Sequence, residues 1–423
     1  MRERSETPTI PLDPSPADVL VVGAGAAGLM AALWAARSGA RVLLLETTRD
    51  GGRKILISGG GRCNVLPSRV SPAQYTTDSS PNTLKKILRS WPLAEQRRFF
   101  ENELGIPLAL EPETGKLFPV SNRARDVRDR LVAAVREAGG EIRFETRMTQ
   151  LRRRDGEDEG WKIGTAADET LSAHTVILAT GGLSVPQTGS DGAGLRILHE
   201  MGYEVHDTYP ALTPLTADPP PHAQLAGVAL DVGLAAPGAR FATEGALLFT
   251  HRGYSGPAVL DISHVATRSA GNGSEPIQVR WTPLSPEEWE SALIDAPSGE
   301  LGPLLRRHLP TRLADTLLAE AGIPADRSLA RLRREERREL VGRLTRYPLP
   351  WTGDEGYRKA EVTGGGIALG EVDPRTLESR RDPGLFLCGE LLDAFGPIGG
   401  YNFLWAWATG RAAGIAAAGA GGR

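Results

Sequence analysis

The sequence predicts an α/β fold, a Rossmann-like domain interrupted by a long insertion, and three observations carry that reading. A glycine fingerprint, GAGAAG at Gly23–Gly28, stands between an apolar run and an alanine-rich segment. Apolar strand-like runs recur far apart, at Asp18–Val22, Thr175–Thr180 and Gly384–Cys388. Between the last two, residues 205–350 change character, first to proline-punctuated β segments and then to helices.

Taken in order, residues 1–16 are polar and broken by prolines and read as a disordered tail. Asp18–Val22 (DVLVV) reads as a buried parallel strand, Leu29–Ser38 as a helix and Arg41–Glu46 (RVLLLE) as a second strand, so the three form one βαβ unit. Residues 81–104 and Ala124–Gly139 read as helices, and Glu141–Leu151 as one alternating strand. Trp161–Ile163 and Thr170–Ala173 suggest an antiparallel excursion before the buried strand Thr175–Thr180. The expected domains are therefore 17–204 with 351–423 as the dinucleotide-binding domain, 205–284 as a β-rich subdomain and 285–350 as a helical one.

Composition narrows the function. The 423 residues carry a formal net charge of -3, which argues against a general nucleic-acid binder. The two cysteines, Cys63 and Cys388, form no metal-binding or disulfide spacing, and a cytoplasmic protein is expected. No apolar run reaches the ~20 residues of a membrane span.

In GAGAAG, Gly23 permits a tight turn, Gly25 lets backbone approach a pyrophosphate, and Gly28 allows close helix–strand packing. The helix start at Ala26 and Ala27 offers free N–H groups to phosphate. Glu46, ending the second strand, is placed to accept hydrogen bonds from adenosine ribose hydroxyls, which disfavours a 2′-phosphate there. Both NAD and FAD fit this fingerprint.

A second glycine stretch, ISGGGRCN at Ile57–Asn64, follows at the carboxyl edge of the expected sheet. It lacks the GK[ST] of a Walker loop and the ligands of a metal site. A nucleophilic Cys63 flanked by Arg53, Lys54 and Arg62 is one reading, and a plain solvent loop another. The preferred reading is a second dinucleotide cradle: bare glycine N–H groups, charge from Lys54 and Arg62, and directed hydrogen bonds from Ser58 and Asn64. Near the C-terminus a strand delivers Gly389 and Glu390, with Asp393 close behind, where a carboxylate suits flavin ribityl hydroxyls. Gly399, Gly400, Tyr401 and Asn402 then open a helix whose N-terminus suits the pyrimidine end of an isoalloxazine, which gains negative charge on reduction.

At this point the chain resembles the BaiN/YhiN-type flavoproteins, NAD(P)/FAD-dependent oxidoreductases or aminoacetone-oxidase-like enzymes. The resemblance runs from about Asp18 to Gly414. It rests on GAGAAGLMAA (Gly23–Ala32), KILISGGGRCNV (Lys54–Val65), GKLFPVSNRARDV (Gly115–Val127) and ATGGLSVPQTGSDGAG (Ala179–Gly194). LFTHRGYSGPAVL (Leu248–Leu260), EVTGGGIALGEVDPRTLES (Glu361–Ser379) and GGYNFLWAWATG (Gly399–Gly410) complete the set. The resemblance implies a Rossmann-like FAD-binding domain of the two-dinucleotide-binding type, interrupted by an inserted β-barrel and a helical segment. It carries FAD contacts onto the GAGAAG turn, Glu46, Arg53 and Lys54, and the run Ser58, Gly59, Gly60, Gly61, Arg62, Cys63 and Asn64. It extends them to Ala179, Thr180, Gly181, Gly182, Gly389, Glu390, Asp393 and Gly399–Asn402, with Met148 where backbone meets adenine. The chain departs from the pattern at RDGGRK (Arg49–Lys54) and VLPS (Val65–Ser68).

The function expected is an FAD-dependent oxidoreductase that passes hydride through flavin N5 to or from a small organic substrate, with NAD(P)H as electron donor. An oxygen-using amine oxidase on the same fold is the alternative. His251, in THRGYSG, is the candidate proton donor. A third reading takes the basic stretch Arg331–Arg346 as an RNA-docking helix; its acidic residues and lack of aromatics favour instead a solvated helix burying Leu329, Leu332, Leu340 and Leu344.

Overall fold

A computed structural model describes residues 16–154, 160–269, 275–295 and 299–421. The tail expected over 1–16 lies, except for Pro16, outside the described residues.

The first strand, β1 (Ala17–Val22), leads through the glycine turn into helix α1 (Ala26–Arg37) and returns as β2 (Val42–Leu45). The strands are apolar on both faces because helices cover both, as a parallel sheet requires. The sheet runs in the order Glu141–Arg143, β2, β1, Thr170–Leu178, then the antiparallel strands Trp161–Thr165 and Met148–Arg153. Leu385–Leu387 pairs in parallel with the end of Thr170–Leu178, so a strand from the far C-terminal part completes a sheet begun at residue 17. The C-terminal helix Tyr401–Gly421 packs along α1, with glycines at the crossing: a Cβ on Gly410 would lie 2.3 Å from the Ala27 carbonyl oxygen.

A second body holds an antiparallel sheet of seven strands, running as an open path from Tyr347–Pro348 through Ala229–Ala236 and Phe241–Phe249 to Gly353–Asp354. Its core spans Leu215 to Leu349 and includes Trp281 and Trp289. The helices between Pro286 and Thr345 close it on one side, and Pro257–Ser269 packs on the other strands. The two bodies are joined by a two-stranded ladder, Val205–Ala211 against Val362–Ile367.

Two elements differ from the sequence expectation. The strand expected over Glu141–Leu151 is two strands, broken at Phe144–Arg147, where Glu145 takes a left-handed φ of 55°. The helix expected over 81–104 breaks before Pro92, as the clash between a proline ring and the preceding helical residue demands.

Candidate functional site

The carboxyl ends of β1, β2 and Thr170–Leu178 open onto a cleft of about 900 Å³. The turn after β1 forms one wall. Gly23 sits at φ 100°, where a Cβ would lie 2.5 Å from the Ala179 carbonyl oxygen, and a Cβ on Gly28 would lie 1.8 Å from the Gly23 oxygen. Those two glycines answer to the protein's own packing. Gly25 does not: a Cβ there meets no protein atom within 4 Å and would project into the cleft.

Glu46 lines the same wall, and one of its oxygens accepts from the Ala24 N–H at 2.8 Å. The other accepts from the Thr48 N–H and hydroxyl, which fixes the carboxylate at the cleft edge. The ISGGGRCN stretch forms a tight turn in which Gly59, Gly60 and Gly61 all take positive φ, between 55° and 86°. Three such residues in a row explain the glycine run directly. Asn64 then faces the cleft with its side-chain oxygen buried and lacking a hydrogen-bond partner, as does the Thr180 hydroxyl on the opposite wall.

At the far end, Lys54 Nζ donates to Glu390 and to Ser184 Oγ, each at 2.6 Å. The Asn402 amide brackets the corner before the C-terminal helix, exchanging hydrogen bonds with the Gly396 N–H and carbonyl. Seven cationic side chains line the cleft (Arg53, Lys54, Arg62, Lys116, Arg147, Arg358 and Lys359) against four carboxylates (Glu46, Asp191, Glu361 and Glu390). That surplus suits an anionic ligand.

Most of the expected site residues meet at this cleft: Gly23, Gly25, Ala26, Ala27, Glu46, Arg53, Lys54, Ser58, Gly59, Gly60, Arg62, Asn64 and Met148 on one side. Ala179, Thr180, Gly181, Gly389, Glu390, Gly399, Gly400 and Asn402 complete it. Gly28 and Gly182 stand behind the wall, and Gly61 is exposed outside the cleft. Four expectations are corrected. Asp393 does not line the cleft; it is almost wholly buried, and one of its oxygens accepts from Thr77, from the Asp78 and Ser79 N–H groups and from the Ser79 hydroxyl. Tyr401 turns into a neighbouring groove, where its hydroxyl accepts from Gln74. Cys63, expected among the FAD contacts, is fully buried and does not line the cleft, and desolvation pushes its thiol up to about 12, which also excludes the nucleophile reading at neutral pH. His251 lies exposed in the turn between Phe241–Phe249 and Gly253–Ser255, away from the cleft, because the tight strand reversal directs it outward.

Sequence reasoning missed Lys116, Phe118, Arg147, Thr188–Asp191, Pro257, Leu260, Arg358, Lys359 and Glu361, all of which line the cleft. Several fall within stretches quoted for the resemblance, such as GKLF and SGPAVL, so the signal was present without a role attached. The basic stretch forms helix Arg334–Thr345 with Leu340, Val341 and Leu344 buried, and its Arg337 and Arg343 are paired with Glu290, Glu320 and Glu339.

Comparisons with known proteins converge on this frame. Residues 17–416 match the HI0933-like protein Rossmann domain family. The ribosomal RNA dihydrouridine synthase of Escherichia coli is 35% identical over 399 residues, covering 93% of this chain and 96% of that protein. The 3-dehydro-bile acid delta(4,6)-reductase of Clostridium scindens is 33% identical, covering 94% of this chain and 98% of that protein. The crystal structure of 3-ketosteroid delta1-dehydrogenase from Sterolibacterium denitrificans shares the fold, with a TM-score of 0.52 at 14% identity over 96% of this chain and 99% of that one.

Proposed function

The chain belongs to the HI0933-like Rossmann-domain family and is an FAD-dependent oxidoreductase, and on that premise we propose that it reduces a carbon–carbon double bond conjugated to a carbonyl, the preferred substrate being a uridine of ribosomal RNA. One observation carries the reading. Two relatives matched over nearly their whole lengths are named for unlike substrates, yet forming dihydrouridine and reducing a 3-oxo-4,6-diene both saturate an alkene conjugated to a carbonyl.

The residues fit FAD. Gly25 leaves room that no protein atom needs, and the unpartnered Asn64 oxygen and Thr180 hydroxyl are buried groups awaiting a ligand. The GAGAAG helix start would hold the pyrophosphate, Glu46 the adenosine ribose, and Asn64 with the Gly399–Asn402 corner the flavin end. Bound there, FAD supplies two-electron hydride chemistry. The free N–H groups at Gly400–Asn402 would stabilise negative charge at that end, and Pro257 and Leu260 of the second body would exclude water from it.

RNA is preferred over a free small molecule because the cleft shares Ile398 and Gly399 with an open groove of about 1290 Å³, lined by Arg69, Gln74, Tyr401 and Arg268. Such a groove can hold a strand flanking one reacting base. The test incubates the holoenzyme and NADPH or NADH with unmodified ribosomal RNA, and separately with a 3-oxo-4-ene steroid. Mass analysis of the RNA digest should find uridine heavier by two hydrogens. Saturation of the steroid alone moves the assignment to a small-molecule reductase; bleaching of the flavin by amines and not by either nicotinamide rejects both.

A further inference from the structure

Tyr401 opens the C-terminal helix between Gly400 and Asn402, which line the cleft, yet its own side chain enters the adjoining groove. The ring stays at the junction of the two spaces: a Cβ on Gly399 would lie 3.5 Å from Tyr401 Cε2, and Gly399 borders both. Tyr75 holds it there. The Tyr75 hydroxyl donates to the Tyr401 carbonyl at 2.8 Å, and the two rings meet edge to face with 6.1 Å between centroids. Gln74 Nε2 donates to the Tyr401 hydroxyl oxygen, also at 2.8 Å.

The Gln74 contact has a direction. The Gln74 side-chain oxygen accepts the Ser71 N–H at 2.7 Å, so the amide turns its NH2 group to Tyr401. The Tyr401 oxygen is therefore the acceptor, and its own hydrogen has no acceptor among the described residues. Burial pushes that hydroxyl above the ordinary tyrosine range, so it keeps its proton at neutral pH. Arg69 and Asp261 act on the same hydroxyl with opposite charges, which leaves the neutral O–H as the recognising group.

We propose that the Tyr401 hydroxyl binds the carbonyl oxygen of the substrate and stabilises the negative charge that this oxygen gains on reduction, with Gln74 as its positioning residue. The assignment rests on the reductase reading above, whose substrates share a carbonyl conjugated to the alkene. The junction selects that ligand group. Gly399 and Gly400 line the cleft where the flavin end would sit, so an acceptor beside the Tyr401 ring belongs to the reacting part of the substrate.

The step balances. Hydride, two electrons with one proton, forms the new C–H bond at the alkene carbon remote from the carbonyl. The alkene pair shifts to a double bond with the carbonyl carbon, and the carbonyl pair moves onto oxygen, giving an enolate that the Tyr401 O–H bonds more strongly than the carbonyl. A solvent proton then forms the C–H bond at the carbon next to the carbonyl, and the carbonyl is restored. The two electrons come from a reduced nicotinamide dinucleotide.

Two variants of the holoenzyme test this, with whichever of the RNA and the steroid the wild type reduces. Tyr401→Phe should keep its FAD and its rate of bleaching by NADPH, while reoxidation by the alkene substrate falls ~100-fold or more, in kcat rather than in KM. Gln74→Glu keeps an acceptor for the Ser71 N–H and a hydrogen bond to Tyr401 but reverses the latter, the phenol now donating to the carboxylate. Turnover should fall about as far as in Tyr401→Phe at an unchanged melting temperature, whereas a merely bracing Gln74 would leave turnover at the wild-type rate. Wild-type kcat in Tyr401→Phe, with or without a raised KM, overturns the assignment, as does wild-type turnover by Gln74→Glu. Wild-type holoenzyme that bleaches with NADPH but reduces neither substrate overturns the reductase reading, and this assignment with it.

Discussion

Lys54 and Glu390, 336 residues apart in the chain, meet at 2.6 Å across the cleft. The pair closes the two halves of the dinucleotide domain around the inserted body. Both side chains are mostly shielded from solvent, and Ser184 bonds both. Removing one partner leaves a poorly solvated charge. Glu390→Ala should lower the unfolding free energy by ~2 kcal/mol and weaken FAD binding, read by thermal melting with and without FAD. A melting point that does not move would mean the pair is idle.

The glycines of GAGAAG should separate into two classes. Gly28→Ala forces a Cβ against the Gly23 oxygen and should destabilise even the cofactor-free protein by several kcal/mol, on the order of an overpacked core. Gly25→Val meets only cleft space, so the apoprotein should melt as wild type while losing FAD. Apoprotein melting curves and FAD content measured together check both.

Acid should weaken the fold through His264. Desolvation lowers its pKa to about 4 from an ordinary 6.5, so the unfolded chain binds the extra proton between those values. Stability therefore falls as pH drops from 6.5 towards 4. Asp261, raised to about 7, works in the opposite sense: its contribution is present at low pH and fades as pH rises through 7. His264→Phe should flatten the acid limb of melting temperature against pH, and Asp261→Asn should steepen it. Identical limbs in all three proteins would refute the assignment.

Cys63 should resist alkylation in the folded protein at neutral pH, and His251→Ala should turn over at the wild-type rate. Thiol labelling followed by mass analysis, and steady-state kinetics, check the two. Between pH 9 and 12 the buried Cys63 thiol should add to alkaline destabilisation, because only the unfolded chain ionises it there.

What was legible in the sequence was whatever short-range chemistry dictates. The βαβ unit and its fingerprint follow from local periodicity and from glycines that backbone geometry demands, as at Gly59–Gly61. Asp393 was misread because proximity to Glu390 in sequence says nothing about direction: Asp393 turns into the Thr77–Ser79 loop while Glu390 faces the cleft. Lys116, Leu260 and Glu361 went without roles because they reach the cleft only through tertiary contacts between segments distant in sequence, which carry no periodic trace. His251 was chosen for its residue type, and only the turn after Phe249 decides that it points away.

The central claim is that distant segments clasp one FAD along this cleft. Hydrogen exchange of the apoprotein, with and without one equivalent of FAD, tests it most directly. Protection concentrated at Gly23–Gly28, Ser58–Asn64 and Gly399–Asn402 is the predicted result. Binding that leaves the last two segments exchanging as before would contradict it.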